Sequence, residues 1–260
     1  MQTHLNIALV QTDLKWESPE SNLEMFGALI KGLPSETDLV VLPEMFSTGF
    51  TMFPQKIAEN MDGPTLNWLR KTASETNIAI CGSLIISEND AFYNRFVFMP
   101  HDGQHQIYDK RHTFTLSREN EVYQSGRKKV TFDFKGWKIC PQVCYDLRFP
   151  VWSRNVEDYD LLIYVANWPK ERIYAWDALL KARAIENMSY CIGVNRIGSD
   201  GNGYKFSGHS AAYDGLGNRI AEFKESENAV KSVTLQHAHL EDIRQRLKFL
   251  DDRDNFTLEV

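Results

Sequence analysis

No apolar run in this sequence approaches the roughly 20 residues that a membrane-spanning helix needs. The N-terminus, residues 1–11, also lacks the basic segment and long apolar stretch of a secretory signal peptide, and its pattern is typical of a first β-strand. These absences predict a protein that has no membrane partner and is located in the cytoplasm.

Cysteine is scarce, with four in 260 residues: Cys81, Cys140, Cys144 and Cys191. They lie far apart or inside apolar runs, and no second Cys/His pair completes a zinc set with Cys140 and Cys144. The simplest interpretation is a reduced, cytoplasmic protein without a zinc site.

Positive charge is also limited, since the net charge is −6 and the densest basic group, residues 127–129, is short. This balance argues against a general nucleic-acid binder. The chain contains no linker, low-complexity segment or internal repeat.

What is present is an alternation of apolar runs and amphipathic helices. Hairpins are predicted for residues 78–99 and 130–143, and helices are predicted to begin at Ser18 (a cap), at Gly63 and near residues 171 and 239. Nearly a dozen apolar runs are too many for one open sheet. We therefore expect a single α/β domain over residues 1–260, built as a four-layer α-β-β-α sandwich.

The last segment of the chain, residues 236–260, has two interpretations. It supports a dimer interface, or its helix packs on its own subunit.

Three polar residues stand at the ends of three apolar runs: Glu44, Lys110 and Cys144. A carboxylate can act as a base, an ammonium group can hold a developing oxyanion, and a thiol is a nucleophile. Together they are what cysteine-based attack on a carbonyl carbon requires.

Each of the three residues has a structural alternative when it is taken alone. Free cysteine is among the most buried residue types, and an acid or a lysine after a strand is commonly a solvated surface residue. Cys144, however, precedes an abrupt change to polar sequence at a strand-to-helix junction. There we expect partial exposure, a pKa lowered by backbone N–H groups, and an oxyanion donor in the N–H of Tyr145.

The joint pattern resembles the nitrilase, or carbon–nitrogen hydrolase, superfamily. The resemblance runs from the first strand to about residue 223 and is carried by blocks 42–46 (LPEMF), 108–112 (YDKRH) and 144–150 (CYDLRFP), with 166–169 and 208–217 in support. It implies the α-β-β-α sandwich and a Glu44–Lys110–Cys144 triad, with no metal or organic cofactor.

Three further expectations rest on this resemblance. A second glutamate seven residues before Gly126 is expected at Glu119, with Glu121 as a rival. The oxyanion is expected to bind the lysine and the N–H of Tyr145. A homodimer is expected because the family is usually oligomeric.

Within the superfamily, the sequence around Cys144 and residues 43–50 looks most like the omega-amidases, which hydrolyse the terminal amide of 2-oxoglutaramate or 2-oxosuccinamate. A broader aliphatic amidase, an N-carbamoyl hydrolase and a catalytically silent metabolite-binding relative are the alternatives. Arg148 is a candidate for the substrate carboxylate, although a structural ion pair under the nucleophile loop explains it equally well. Phe114, Asn167 and Trp168 are candidates for the pocket wall, and Trp168 is otherwise a core residue.

Overall fold

The computed structural model describes residues 2–259, and most of these residues belong to two β-sheets and the helices that cover them. The strands are β1 (His4–Gln11), β2 (Leu39–Val41), β3 (Ala79–Glu88), β4 (Ala91–Met99), β5 (Gln106–Asp109), β6 (Phe132–Phe134), β7 (Trp137–Val143), β8 (Leu161–Ala166), β9 (Tyr190–Asn195), β10 (Ile197–Ser199), β11 (Lys205–Ser207), β12 (Ala211–Tyr213), β13 (Arg219–Glu222) and β14 (Ala229–Gln236). The α-helices are α1 (Pro19–Lys31), α2 (Pro64–Thr76), α3 (Glu119–Val122), α4 (Pro150–Ser153), α5 (Ile173–Asn187) and α6 (His237–Leu247).

Each large sheet has six strands and a parallel centre. The first sheet has the order β14-β1-β2-β3-β4-β5, and the second has the order β13-β12-β9-β8-β7-β6. Strands β1, β2 and β3 run parallel, as do β7, β8 and β9. The predicted hairpins are present as the antiparallel pairs β3–β4 and β6–β7. Strands β10 and β11 form a separate two-stranded ribbon.

Three apolar layers hold the two sheets and the helices together. The central layer joins the inner faces of the sheets, with residues such as Leu9 and Val41 packed against Ile139 and Ile163. A second layer packs α1 and α2 on the outside of the first sheet, and a third packs α5 on the outside of the second. The α-β-β-α sandwich predicted from the sequence is therefore confirmed.

Two predictions about helix ends are refined by the structure. Ser18 precedes α1, but its hydroxyl donates to the Ser21 hydroxyl rather than capping a backbone N–H, so the predicted cap is wrong. In α6, Leu240 and Ile243 are buried in the central apolar layer. The helix within residues 236–260 thus packs on its own subunit, while a dimer role for the segment stays a prediction. Within residues 2–259, no helix is both long and apolar enough to cross a bilayer.

Candidate active site

The three reactive residues predicted from the sequence meet at one place. Lys110 directly follows β5, Cys144 directly follows β7, and Glu44 lies three residues beyond β2. The Lys110 Nζ lies 2.9 Å from the Glu44 Oε1, and Cys144 lines the same cavity as both residues. Glu44 and Lys110 are essentially inaccessible to solvent. The first sheet contributes the acid and the lysine, and the second sheet contributes the thiol.

Lys110 contacts a second carboxylate, which belongs to Glu119. The Lys110 Nζ donates to Glu119 Oε1 at 3.0 Å and to Oε2 at 2.9 Å, and the backbone N–H of Phe114 donates to Oε2 at 2.5 Å. The rival, Glu121, is exposed and pairs with Arg118 at the surface. Of the two candidates, the structure thus brings Glu119 to the lysine.

The electrostatics of this group are set by burial and by the imbalance of charge. Burial disfavours a charged Lys110, but Glu119 and Glu44 outweigh it and raise the pKa of the lysine above its ordinary value. Burial raises the pKa of Glu119, and Lys110 opposes that rise only in part. Lys110 therefore stays an ammonium group, and the site holds two carboxyl groups, Glu44 and Glu119, around this single cation.

Asn94 joins the two acids and was not predicted from the sequence. Its Nδ2 donates to Glu44 Oε1 at 2.7 Å and to Glu119 Oε1 at 3.3 Å. The signal that could have revealed it is a polar pair, Asn94-Arg95, inside the otherwise apolar β4. Arg95 has a different explanation, since it pairs with Glu88 and Asp109.

The loop after Lys110 folds back tightly onto it at Gly126. The Gly126 N–H donates to the Lys110 carbonyl at 2.8 Å. A Cβ at this position would lie 2.0 Å from the backbone carbonyl oxygen of Asp109. Residue 126 must therefore be glycine, because any side chain would push the loop away from the lysine.

Asn167 positions Glu44 from the second sheet. Its backbone N–H donates to Glu44 Oε2 at 2.7 Å, and its Nδ2 donates to the Glu44 carbonyl oxygen at 2.6 Å. Next to it, Trp168 packs in the apolar layer under α5 and also lines the cavity at the site. Both predicted wall residues are thus at the cavity, and Asn167 has an additional structural contact.

Cys144 opens a 3₁₀ turn, Cys144–Arg148, in a left-handed backbone conformation with φ of 45°. The N–H groups of the first turn, including that of Tyr145, have no acceptor within the turn itself. Burial and the neighbouring Glu44 carboxylate raise the pKa of Cys144 well above its ordinary value. The expected partial exposure of Cys144 is confirmed. The expected lowering of its pKa is wrong, since that expectation considered the backbone dipoles and neither the desolvation of the thiol nor the carboxylate.

A cavity of about 90 Å³ opens beside these residues. Its wall includes Phe114, which was predicted, and two arginines at its edge, Arg148 and Arg172. The Arg148 guanidinium lies 4.9 Å from the centre of the Trp168 ring, and that of Arg172 lies 5.1 Å from the Phe114 ring.

Neither arginine has a carboxylate partner among residues 2–259. The structural ion pair considered as an alternative for Arg148 is not present in this part of the chain.

Comparison with known proteins identifies the family. A family model for carbon–nitrogen hydrolases matches residues 6–245. The chain belongs to this family. It is 41% identical over 256 residues, 98% of each chain, to the omega-amidase YafV of Yersinia enterocolitica. It is 31% identical over 252 residues to the 2-oxoglutaramate amidase of Bacillus subtilis strain 168, covering 95% of this chain and 96% of that relative.

A solved structure extends the similarity to three dimensions. XC1258 from Xanthomonas campestris, a CN-hydrolase superfamily protein with an arsenic adduct in its active site, matches with a TM-score of 0.96 and 43% identity. The match covers 99% of this chain and 100% of that one. The family resemblance inferred from the three sequence blocks is thereby confirmed.

In this carbon–nitrogen hydrolase, all nine candidate site residues line the cavity or contact a residue that lines it. Glu119 contacts Lys110 from behind, and the other eight line the cavity wall: Glu44, Lys110, Phe114, Cys144, Tyr145, Arg148, Asn167 and Trp168. Sequence reasoning missed Asn94 and Arg172. No group of three or more His, Cys, Asp or Glu side chains within residues 2–259 is arranged to hold a metal ion.

Proposed function

We propose that this carbon–nitrogen hydrolase removes the terminal amide of a small 2-oxo dicarboxylic acid monoamide, such as 2-oxoglutaramate or 2-oxosuccinamate. The products are ammonia and the 2-oxo acid. The observation that carries the proposal is a cluster of one partly buried thiol, one buried ammonium group and two buried carboxylates beside a small cavity edged by two unpaired arginines. The relatives that act as omega-amidases support the choice of substrate.

Acylation is the first half of the proposed reaction. The Cys144 Sγ bonds to the amide carbon while its proton passes to Glu44, the carboxylate on the same cavity that raises the pKa of the thiol. The carbonyl oxygen becomes an oxyanion, which the Lys110 ammonium group and the Tyr145 N–H stabilise. The carbon–nitrogen bond then breaks, Glu44 returns the proton to nitrogen, and ammonia leaves a thioester.

Deacylation repeats the sequence with water. Glu44 takes a proton from water as its oxygen bonds to the thioester carbon, and a second oxyanion forms at the same donors. When the carbon–sulfur bond breaks, the proton returns to Cys144 and the free acid leaves. The raised pKa of Cys144 fits this scheme, because a resting thiol needs Glu44 as its base in each cycle.

Arg148 and Arg172 are the proposed partners of the substrate carboxylate. Each is held against an aromatic ring of the cavity wall, and neither forms a salt bridge with an acid within residues 2–259, although Asp200 lines the same cavity. A guanidinium group binds a carboxylate through two parallel hydrogen bonds, which also orient the substrate. An anionic amide would therefore enter with its carboxylate at the arginines and its amide at Cys144.

The test is ammonia release by the purified protein from 2-oxoglutaramate, succinamate, glutamine, a simple nitrile and an N-carbamoyl amino acid. We expect turnover of the first two and none by Cys144→Ala. Arg172→Gln should raise KM for 2-oxoglutaramate at least about tenfold, the range of a charge-assisted hydrogen bond, with little change in kcat. Turnover of glutamine or the N-carbamoyl compound alone would contradict the substrate proposal. No ammonia release from any of the five compounds would favour a binding protein.

We also propose a cytoplasmic homodimer. The outward side of α5 exposes apolar side chains, with Tyr174 86% and Ile185 46% accessible, and such surface favours association. Unpaired thiols at all four cysteines suit a reducing compartment. Sedimentation should give twice the 30.0 kDa mass of the chain, and a species of the single-chain mass at micromolar concentration would contradict the dimer.

A further inference from the structure

Asp146, two residues after Cys144, is fully buried, and it accepts four hydrogen bonds. The Val143 N–H and the Tyr108 hydroxyl donate to Oδ2 at 3.0 and 2.8 Å. The backbone N–H of His112 lies 2.9 Å from Oδ1, and the His112 Nδ1 lies 2.8 Å from it. Asp146 is absent from the cavity wall, so these contacts serve a purpose other than substrate binding.

The positions of the donors link two parts of the site. Val143 directly precedes the nucleophile, whereas Tyr108 and His112 stand two residues before and two residues after Lys110. One carboxylate thus connects the nucleophile turn to both flanks of the lysine. No other side chain within residues 2–259 hydrogen-bonds to both Tyr108 and His112.

Both side-chain donors are themselves fixed. The Tyr108 hydroxyl accepts hydrogen bonds from Trp152 Nε1 at 3.0 Å and from the Arg111 N–H at 3.2 Å, so its own proton is directed to Asp146. The His112 ring stacks on Phe149, with centroids 3.6 Å apart and planes within 3°. Phe149 directly follows the Cys144–Arg148 turn, so His112 also holds the far end of that turn.

The turn needs such support because Cys144 has a left-handed backbone conformation. That conformation is unfavourable for a residue with a Cβ and persists only where its surroundings impose it. Relaxation of the turn would move the N–H of Tyr145, which immediately follows. The Lys110 Nζ belongs to the other sheet and would not move with it.

We propose that Asp146 is a positioning residue that fixes the Tyr145 N–H relative to the Lys110 Nζ, and so keeps the two oxyanion donors in register. This inference rests on the proposed function for the roles of those donors. Oxyanion donors act over 2.7–3.1 Å, and a displacement of about 1 Å costs about 10²-fold in rate. Asp146 therefore contributes to the rate of acylation without touching the substrate.

The experiment compares Asp146→Asn with the wild type in two reactions of the same thiol. Acylation by p-nitrophenyl acetate passes through an oxyanion, whereas alkylation by iodoacetamide displaces iodide without forming one. In the variant, an NH₂ group replaces one of the two carboxylate oxygens. If it replaces Oδ2 it faces the donors of Val143 and Tyr108, and if it replaces Oδ1 it faces the two donors of His112. We expect the rate of the p-nitrophenolate burst to fall about 10²-fold, with alkylation of Cys144 changed less than about threefold.

Asp133→Asn is the matched control, since Asp133 is an exposed acid in β6, and both of its rates should equal those of the wild type. A burst rate of Asp146→Asn within threefold of the wild type would overturn the proposal. An equal fall in the burst rate and the alkylation rate would also overturn it, because it would mean general disruption of the turn. A wild-type protein that gives no burst would overturn it as well.

A second variant serves if Asp146→Asn does not fold. His112→Phe retains an aromatic ring on Phe149 but removes the Nδ1 contact. Its burst rate should fall about tenfold, which is the effect of one hydrogen bond, and its alkylation rate should again change little. Equal effects on both reactions would overturn the inference here too. If the burst is normal but no 2-oxo acid monoamide is hydrolysed, the substrate proposal fails while the role of Asp146 is still tested.

Discussion

Replacement of Glu119 by glutamine removes one of the two carboxylates around Lys110 while preserving volume. Oε1 of Glu119 accepts from Lys110 and Asn94, and Oε2 accepts from Lys110 and the Phe114 N–H. A glutamine amide must place its NH₂ where one of these oxygens was. If the NH₂ replaces Oε1 it faces the donors of Lys110 and Asn94, and if it replaces Oε2 it faces those of Lys110 and Phe114.

The size of the effect follows from those opposed donors. Each buried donor left without an acceptor costs about 1–3 kcal/mol, so the free energy of unfolding should fall by at least about that amount. Lys110 would move toward Glu44, its remaining carboxylate partner at 2.9 Å, and away from the proposed oxyanion position. Loss of one oxyanion donor lowers kcat by about 10²–10³-fold, and we expect Glu119→Gln to fall in this range.

The assay is steady-state ammonia release by Glu119→Gln and Glu121→Gln, together with urea unfolding of both. Glu121 is exposed, so its variant should match the wild type in rate and stability. A kcat for Glu119→Gln within threefold of the wild type would refute the reasoning, and so would an equal loss in Glu121→Gln. The first result would mean that Glu44 alone positions Lys110.

Three further predictions concern the same site. Because burial and Glu44 raise the pKa of Cys144, its alkylation by iodoacetamide should accelerate with pH through pH 9, and a plateau between pH 6 and 8 would contradict this. Gly126→Ala should destabilise the protein by about 1–3 kcal/mol or more in thermal unfolding, because the new Cβ meets the Asp109 carbonyl, and an unchanged melting temperature would show that the loop yields. Asn94→Asp places a third carboxylate beside Glu44 and should lower kcat at least about 10²-fold at neutral pH, with partial recovery at lower pH where an acid is protonated; equal loss at all pH values would exclude charge as the cause.

The fold was predictable because its signals are local. The β3–β4 and β6–β7 hairpins are marked by turn residues between apolar runs, and the number of runs required two sheets. The failed prediction at Ser18 shows the limit of such signals. A serine before a helix has the right chemistry for a cap, but its side chain had another partner in Ser21.

The reactive residues were predictable for a related reason. Each of Glu44, Lys110 and Cys144 interrupts or ends an apolar run, where a polar residue has no structural need. Asn94 was missed because its partners are 50 and 25 residues away, and nothing near it in sequence indicates two acids. The pKa of Cys144 was misjudged for the same reason, since it is raised by desolvation in the folded protein and by a carboxylate on the other sheet.

The position of the site at the boundary between two sheets has a mechanical consequence. Glu44 and Lys110 follow strands of one sheet, and Cys144 and Asn167 follow strands of the other, so the distance from base to nucleophile depends on the spacing of the two sheets. An apolar substitution between the sheets, far from the cavity, would alter that spacing by a fraction of an ångström. Catalytic rate should therefore report on packing of the central core before any loss of folded protein is detectable.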